Sequence, residues 1–113
     1  MDTESKERIS RIRDLNDAFR RTFVGGKVLI TCGVDALPDA MQAGALLFVR
    51  VFDKFSESND PHGEHDFGSF DLGNRKFFWK IDYYDERWEF GSADPSDPER
   101  TKRVLTLMLA DEY

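Results

Sequence analysis

The 113-residue sequence has a single cysteine, Cys32. One thiol closes no intramolecular disulfide and cannot supply the thiolate set of a zinc ribbon. Long apolar runs are missing too. The longest, Ala43 to Val49, falls far short of the roughly 20 residues that span a bilayer. The start, Met1-Asp2-Thr3-Glu4-Ser5-Lys6, has no apolar core of a signal peptide. A soluble, cytoplasmic protein with no membrane partner is therefore expected. Positive charge is in deficit: 16 Lys and Arg against 22 Asp and Glu leave a formal net charge of −6. That argues against direct nucleic-acid binding, which needs a basic surface to displace phosphate counterions. There is no Gly-x-x-x-x-Gly-Lys-Ser/Thr phosphate loop, no Gly-x-Gly-x-x-Gly and no Gly-x-Ser-x-Gly elbow. Nucleotide-dependent and serine-hydrolase chemistries lose their support, and neither a cofactor nor a metal is expected.

What is present is aromatic. Hydrophobic residues make up 40%, charged residues 34% and aromatics 13%, with ten Phe. That is enough for one core, and the length fits one domain over residues 1–113. Residues 3–23 read as an amphipathic helix, with Ile9, Ile12, Leu15, Phe19 and Phe23 on one face. Arg8, Arg11, Arg13, Arg20 and Arg21 lie mostly off that face, and Gly25-Gly26 ends the helix. Lys27 to Cys32, with β-branched Val28, Ile30 and Thr31, reads as a strand. Cys32 at its end reads as a small buried hydrophobe. A second helix begins at Pro38, presents Met41, Ala45, Phe48, Val49 and Phe52, and fades near Phe55. Turn-forming residues fill 56–63. The period then changes to two. Phe67–Leu72 and Arg75–Tyr84 form a hairpin around Gly73-Asn74. A third strand follows at Arg87–Gly91, after a tight turn at Asp85-Glu86. Asp97-Pro98 signals a last helix with Val104, Leu105, Met108 and Leu109 inside. The order α-β-α-β-β-β-α predicts a two-layer α+β domain, three helices on one face of a small, mainly antiparallel sheet.

The turn fixes a register: Leu72 faces Arg75, Phe70 faces Phe77, Gly68 faces Trp79, and Asp66 faces Ile81. Alternation then puts Phe70, Phe77, Trp79, Ile81 and Tyr83 on the core side, with Trp88 and Phe90 joining from the third strand. The other side receives Phe67, Ser69, Phe78, Lys80, Asp82, Tyr84, Arg87 and Glu89, with His65 opposite Asp82. An exposed sheet face is normally Thr, Lys and Glu; aromatics rimmed by charge point to contact with another molecule. A covering loop or helix is the plainer alternative. Charge is uneven as well. Residues 1–27 carry seven basic and five acidic side chains, whereas residues 53–99 carry five basic and thirteen acidic ones. The acidic half suits a basic protein partner, or it simply solvates loops.

Both histidines fall in Asp60-Pro61-His62-Gly63-Glu64-His65-Asp66. Such a group can ligate a divalent cation or set a base beside an acid. In an extended chain His62 and Glu64 point one way and His65 the other, so a single ion needs a kinked loop. The plainer reading is a loop held together by His–carboxylate pairs. The His-Gly-Glu triplet echoes zinc deaminases, but one cysteine cannot supply their Pro-Cys-x-x-Cys. Lys80 and Asp82, with Tyr84 and His65 on the same face, fit a hydrolase or nuclease less well than a cross-strand salt-bridged surface.

The runs Asn59–Gly68 and Phe78–Asp85, the closing Asp94-Pro95 and Arg103–Tyr113, and the opening Ile12–Arg20 together resemble a small bacterial domain-of-unknown-function family. The resemblance implies a free-standing domain of alphaproteobacteria, often carried on mobile elements. It implies no catalytic residues, and it makes a counter-defence or plasmid-maintenance role an expectation by association. The leading expectation is a non-enzymatic interaction module. It would dock a protein, such as a nucleic-acid-binding restriction or CRISPR effector, through the acidic, aromatic non-core face and the His62–Asp66 loop. The candidate residues are His62, Glu64, His65, Asp66, Phe67, Phe78, Lys80, Asp82, Tyr84 and Arg87. The alternative is a small metal-dependent or acid/base hydrolase using His62, Glu64, His65 and Asp66, with Lys80 steadying negative charge. A third reading is a homodimer through Phe67 and Phe78.

Overall fold

A computed structural model describes residues 2–113; Met1, where the stretch read for a signal peptide begins, lies outside them. Helix α1 (Thr3–Thr22) opens on Asp2, whose carboxylate accepts the Ser5 N–H at 2.7 Å. It stops at Phe23, before the glycine pair, because Phe23 takes the left-handed conformation (φ 58°) and donates its N–H to the Phe19 carbonyl. Strand β1 (Gly26–Ile30) follows, then a single turn, α2 (Cys32–Asp35), capped by Thr31. Cys32 is exposed in that turn rather than buried at a strand end. Val34 fills the core position instead.

Helix α3 (Asp39–Val51) ends four residues before the predicted Phe55. Its last carbonyls are taken by Arg20, which donates to the Val49 and Phe52 oxygens at 2.9 and 2.8 Å. Arg20 is therefore buried, 1% exposed, and not on the solvent side of α1 as expected. Its guanidinium also sits 5.4 Å from the Phe55 and Trp79 rings.

The hairpin forms in the predicted register. Strand β2 (Phe67–Leu72) pairs with β3 (Arg75–Tyr84), with Phe70 opposite Phe77 and Gly68 opposite Trp79. The two remaining expected elements differ from the prediction. Residues 87–91 are a loop whose backbone joins the sheet through a Tyr84–Gly91 bridge. The Asp85 carboxylate accepts the Arg87 and Glu89 N–H groups, and Trp88 is left-handed (φ 63°), so alternation fails. Trp88 and Phe90 are exposed, not core. The expected last helix is strand β4 (Lys102–Leu109); the Asp97-Pro98 signal yields one 3-10 turn, Pro98–Arg100. A central strand buried on both faces reads as an unbroken apolar run, which a helix also gives.

The sheet order is β1-β4-β3-β2, with β1 parallel to β4 and the other pairs antiparallel. The α+β class thus stands: the described residues form three helices and a four-stranded, mostly antiparallel sheet. Phe19, Val34, Ala45 and Val49 from the three helices pack on Phe77, Trp79, Ile81, Leu105 and Leu107. All three helices therefore lie on one side. The fold turns on a close approach within that layer: Gly68 lies under the indole of Trp79, and a Cβ there would overlap the ring. Gly68→Ala is expected to lower stability by about 1–3 kcal/mol, read as a shifted denaturation midpoint at unchanged slope.

Candidate functional site

The His62–Asp66 loop folds against α1. Arg13 donates to the Gly63 carbonyl at 3.2 Å and Asn16 to the Glu64 carbonyl at 3.0 Å. His65 is left-handed (φ 55°), a reversal that moves its ring from the predicted sheet face to the helix side. Its Nδ1 sits 2.9 Å from one oxygen of Asp17, and Nε2 is 3.7 Å from Asp60. The imidazole stacks on Phe55 at 3.7 Å between centroids. His62 is exposed. Asp66 supplies a backbone carbonyl to the Ile81 N–H. Burial, and then the nearby Glu64, push its carboxyl above the ordinary range. The four residues singled out for chemistry thus point to different places. Among the described residues, no three His, Cys, Asp or Glu side chains are grouped to hold a metal ion.

A buried polar network joins the loop to the sheet. Asn16 is fully buried on the apolar stripe of α1. Its amide donates to the Glu64 carbonyl and to the Tyr83 hydroxyl (2.7 Å), and its oxygen accepts from Arg103 Nε (2.7 Å). Tyr83 in turn donates to the Glu64 carboxylate at 2.7 Å. Burial is the main cause of the raised Tyr83 pKa, so the phenol stays protonated and remains a donor. Asn16, Asp17, Arg20 and Arg103 were all missed as site-shaping residues. A signal existed: Asn16 is four residues after Ile12 and three before Phe19, so a polar group sits on an apolar face.

The helix-free face of the sheet is where the other candidates gather. Phe67, Phe78, Lys80, Asp82 and Tyr84 share it, as predicted from the alternation. Lys80 Nζ and Asp82 are 3.0 Å apart, and that bond raises the Lys80 pKa. Two arms reach over the face. Tyr113 packs edge-on against Phe67 and Phe78, with centroids at 5.9 and 5.5 Å. At the other end Trp88 receives Lys27 Nζ at 4.0 Å and lies 6.3 Å from Tyr84. Leu29, from β1, stands half exposed between them. Arg87 is not on the sheet; it lines a shallow polar hollow of 230 Å³ with Glu86 and Arg100. Nor is the face acidic. The register places Lys27, Lys76, Lys80 and Lys102 on it against Asp71 and Asp82. The chain's net negative charge therefore lies elsewhere.

Tyr113 is held by a clasp. Glu112 accepts from the Thr31 hydroxyl at 2.6 Å, the Leu109 N–H at 2.8 Å and the Gly33 N–H at 3.0 Å. These bonds, Thr31 first, hold its carboxyl below the ordinary range. A depressed carboxyl stabilises the folded state above its unfolded pKa, and the effect is lost as pH falls through the folded value. The Tyr113–Phe78 NOE is therefore expected to persist at neutral pH and to fade on acidification below the ordinary carboxylate range. In Glu112→Gln it should already be weakened at neutral pH. Asn16→Leu leaves the Arg103 Nε–H and the Glu64 carbonyl without their Asn16 partner, while Arg103 Nη2 keeps the Pro95 carbonyl, and is expected to cost about 3 kcal/mol, measured by denaturant unfolding.

No helix among the described residues is long and apolar enough to cross a membrane. No curated protein and no solved structure matches the chain. The sequence model of one family does match, over residues 30–112, which takes in α2, α3 and the strands of the hairpin and centre but leaves α1 outside. The chain belongs to that family, described as a protein of unknown function, DUF3768.

Proposed function

We propose that the protein is a non-enzymatic interaction module that docks another protein on the helix-free face of its sheet. One observation carries this reading. Phe67, Phe78 and Tyr113 form an edge-to-face aromatic cluster on a side of the sheet to which no helix contributes core residues. Apolar surface rimmed by charge is the composition of contact sites. The lysines that flank it favour a partner presenting carboxylates around an apolar centre. A counter-defence inhibitor is a specific form of this reading. A basic nucleic-acid channel of an effector would then meet the acidic segments 53–66 and 85–99, and the sheet would hold the effector's apolar surface.

The hydrolase reading has less support. His65 is bound by Asp17 and Asp60 beneath Phe55, while His62 stands apart in solvent. These contacts serve the fold, so His65→Ala is expected to lower the thermal midpoint without altering partner capture.

The test is comparative capture from source cells with the wild-type chain, Phe78→Ser and Lys80→Glu. A protein retained by the wild type should be lost about tenfold or more by each variant, roughly 1.4 kcal/mol in affinity, at unchanged midpoint. Equal capture by all three chains contradicts the proposal. So does saturable binding of single-stranded nucleic acid on the same face, which fluorescence anisotropy would detect.

A further inference from the structure

We infer that residues 110–113 are a displaceable stand-in for the partner, which brings an acidic segment with an aromatic side chain to the place that Tyr113 occupies. The inference rests on docking at the helix-free face, proposed above, and names the chemistry of what docks there.

The arm Ala110–Tyr113 leaves the central strand β4 directly. Its sequence, Ala-Asp-Glu-Tyr, sets two carboxylates beside one aromatic ring. A face of lysines around aromatic side chains favours that composition. The arm meets both kinds of group. Asp111 shares a hollow of 250 Å³ with Arg75 and Lys76, at the hairpin end of β3. The Tyr113 ring stands edge-on to Phe67 and Phe78, and Phe67 lies opposite Lys80 in the β2–β3 register. The chain itself thus supplies an acid beside a basic pair and a ring beside a lysine.

This occupant is fastened by its neighbour rather than by its own contacts. Glu112 carries the clasp, through Thr31, Leu109 and Gly33. Tyr113 is 75% exposed, and its backbone N–H reaches only the Ala110 carbonyl, at 3.3 Å. A ring that buries so little of itself lifts at small cost. Lifting it bares Phe67 and Phe78, both half-buried on this face. A partner's aromatic side chain then takes the same edge-to-face seat. Its carboxylates pair with Lys76 and with Lys80, whose ammonium has donors to spare beyond its bond to Asp82.

The test uses the full chain. Asp111→Ala/Tyr113→Ala keeps the Glu112 clasp and empties both contacts; both side chains are exposed, so circular dichroism should not change. The probe is the peptide Ala-Asp-Glu-Tyr, blocked at both ends and titrated by NMR. The double variant should bind it with a Kd of about 1 mM, shifting the signals of Phe78 and Lys80. The wild type should bind it about tenfold more weakly, because its own arm competes at high effective concentration. The neutral peptide Ala-Asn-Gln-Tyr should bind the double variant about tenfold more weakly than the acidic one. No saturation by about 10 mM overturns the inference. Equal affinity of wild type and double variant, or of the acidic and neutral peptides, overturns it as well. So does a doubled mass in sedimentation that the double variant abolishes, which would make the arm of a second copy the occupant. Capture from source cells separates this inference from the docking reading. A protein lost by Phe78→Ser should be held more tightly by the double variant than by the wild type. If it is held less tightly, Tyr113 belongs to the docking surface, and the inference falls while docking stands. Equal capture by wild type and Phe78→Ser removes docking, and this inference with it.

Discussion

One buried amide organises this molecule. Asn16 has no contact with solvent, and its two polar ends meet three separate parts of the chain: the Glu64 carbonyl, the Tyr83 hydroxyl and the Arg103 guanidinium. Low dielectric strengthens each bond and makes each one costly to lose. The consequence is geometric. Helix α1 is fixed to one side of the sheet, the His62–Asp66 loop is tied to that helix, and Arg20 on the same side closes the end of α3. Every described helix is thereby committed to one layer; on the opposite face Val104 and Met108 of the central strand are buried among neighbouring side chains, and among the described residues Tyr113 and Trp88 reach over its two ends.

That asymmetry separates two kinds of polar residue that look alike in the sequence. His65, Glu64 and Asp17 have the chemistry of a catalytic group, yet their partners are the fold's own: a phenol, a helix and an aromatic ring. Lys80 and Asp82 pair only with each other, on a partly exposed surface. Such an exposed pair adds little stability, and it lies within the aromatic face proposed above as the docking surface. The charge distribution agrees, since four lysines mark one face of a chain that is acidic overall.

How much of this is legible in the sequence depends on local chemistry. The hairpin is, because Gly73-Asn74 permits one short turn and the register follows from counting; Phe67, Phe78, Lys80, Asp82 and Tyr84 fall where the alternation puts them. Strand β4 is not. Val104, Leu105, Met108 and Leu109 satisfy a helical spacing, and only the neighbours β1 and β3 on either side make the segment a central strand. His65 and Trp88 were misplaced for a single reason: each is a non-glycine residue in the left-handed region, which no propensity signals. Arg20 was misjudged because arginine is normally solvated, and its partners, the last carbonyls of α3, are about thirty residues away in the chain.

Docking on the sheet requires that its helix-free face be open in the isolated protein. Hydroxyl-radical footprinting measures this directly. Trp88, Tyr113 and Tyr84 should be oxidised readily, while Trp79 and Phe77, on the helix side of the same sheet, should be protected until the chain unfolds. Protection of Trp88 and Tyr113 equal to that of Trp79 would mean that the face is covered, and would contradict the account.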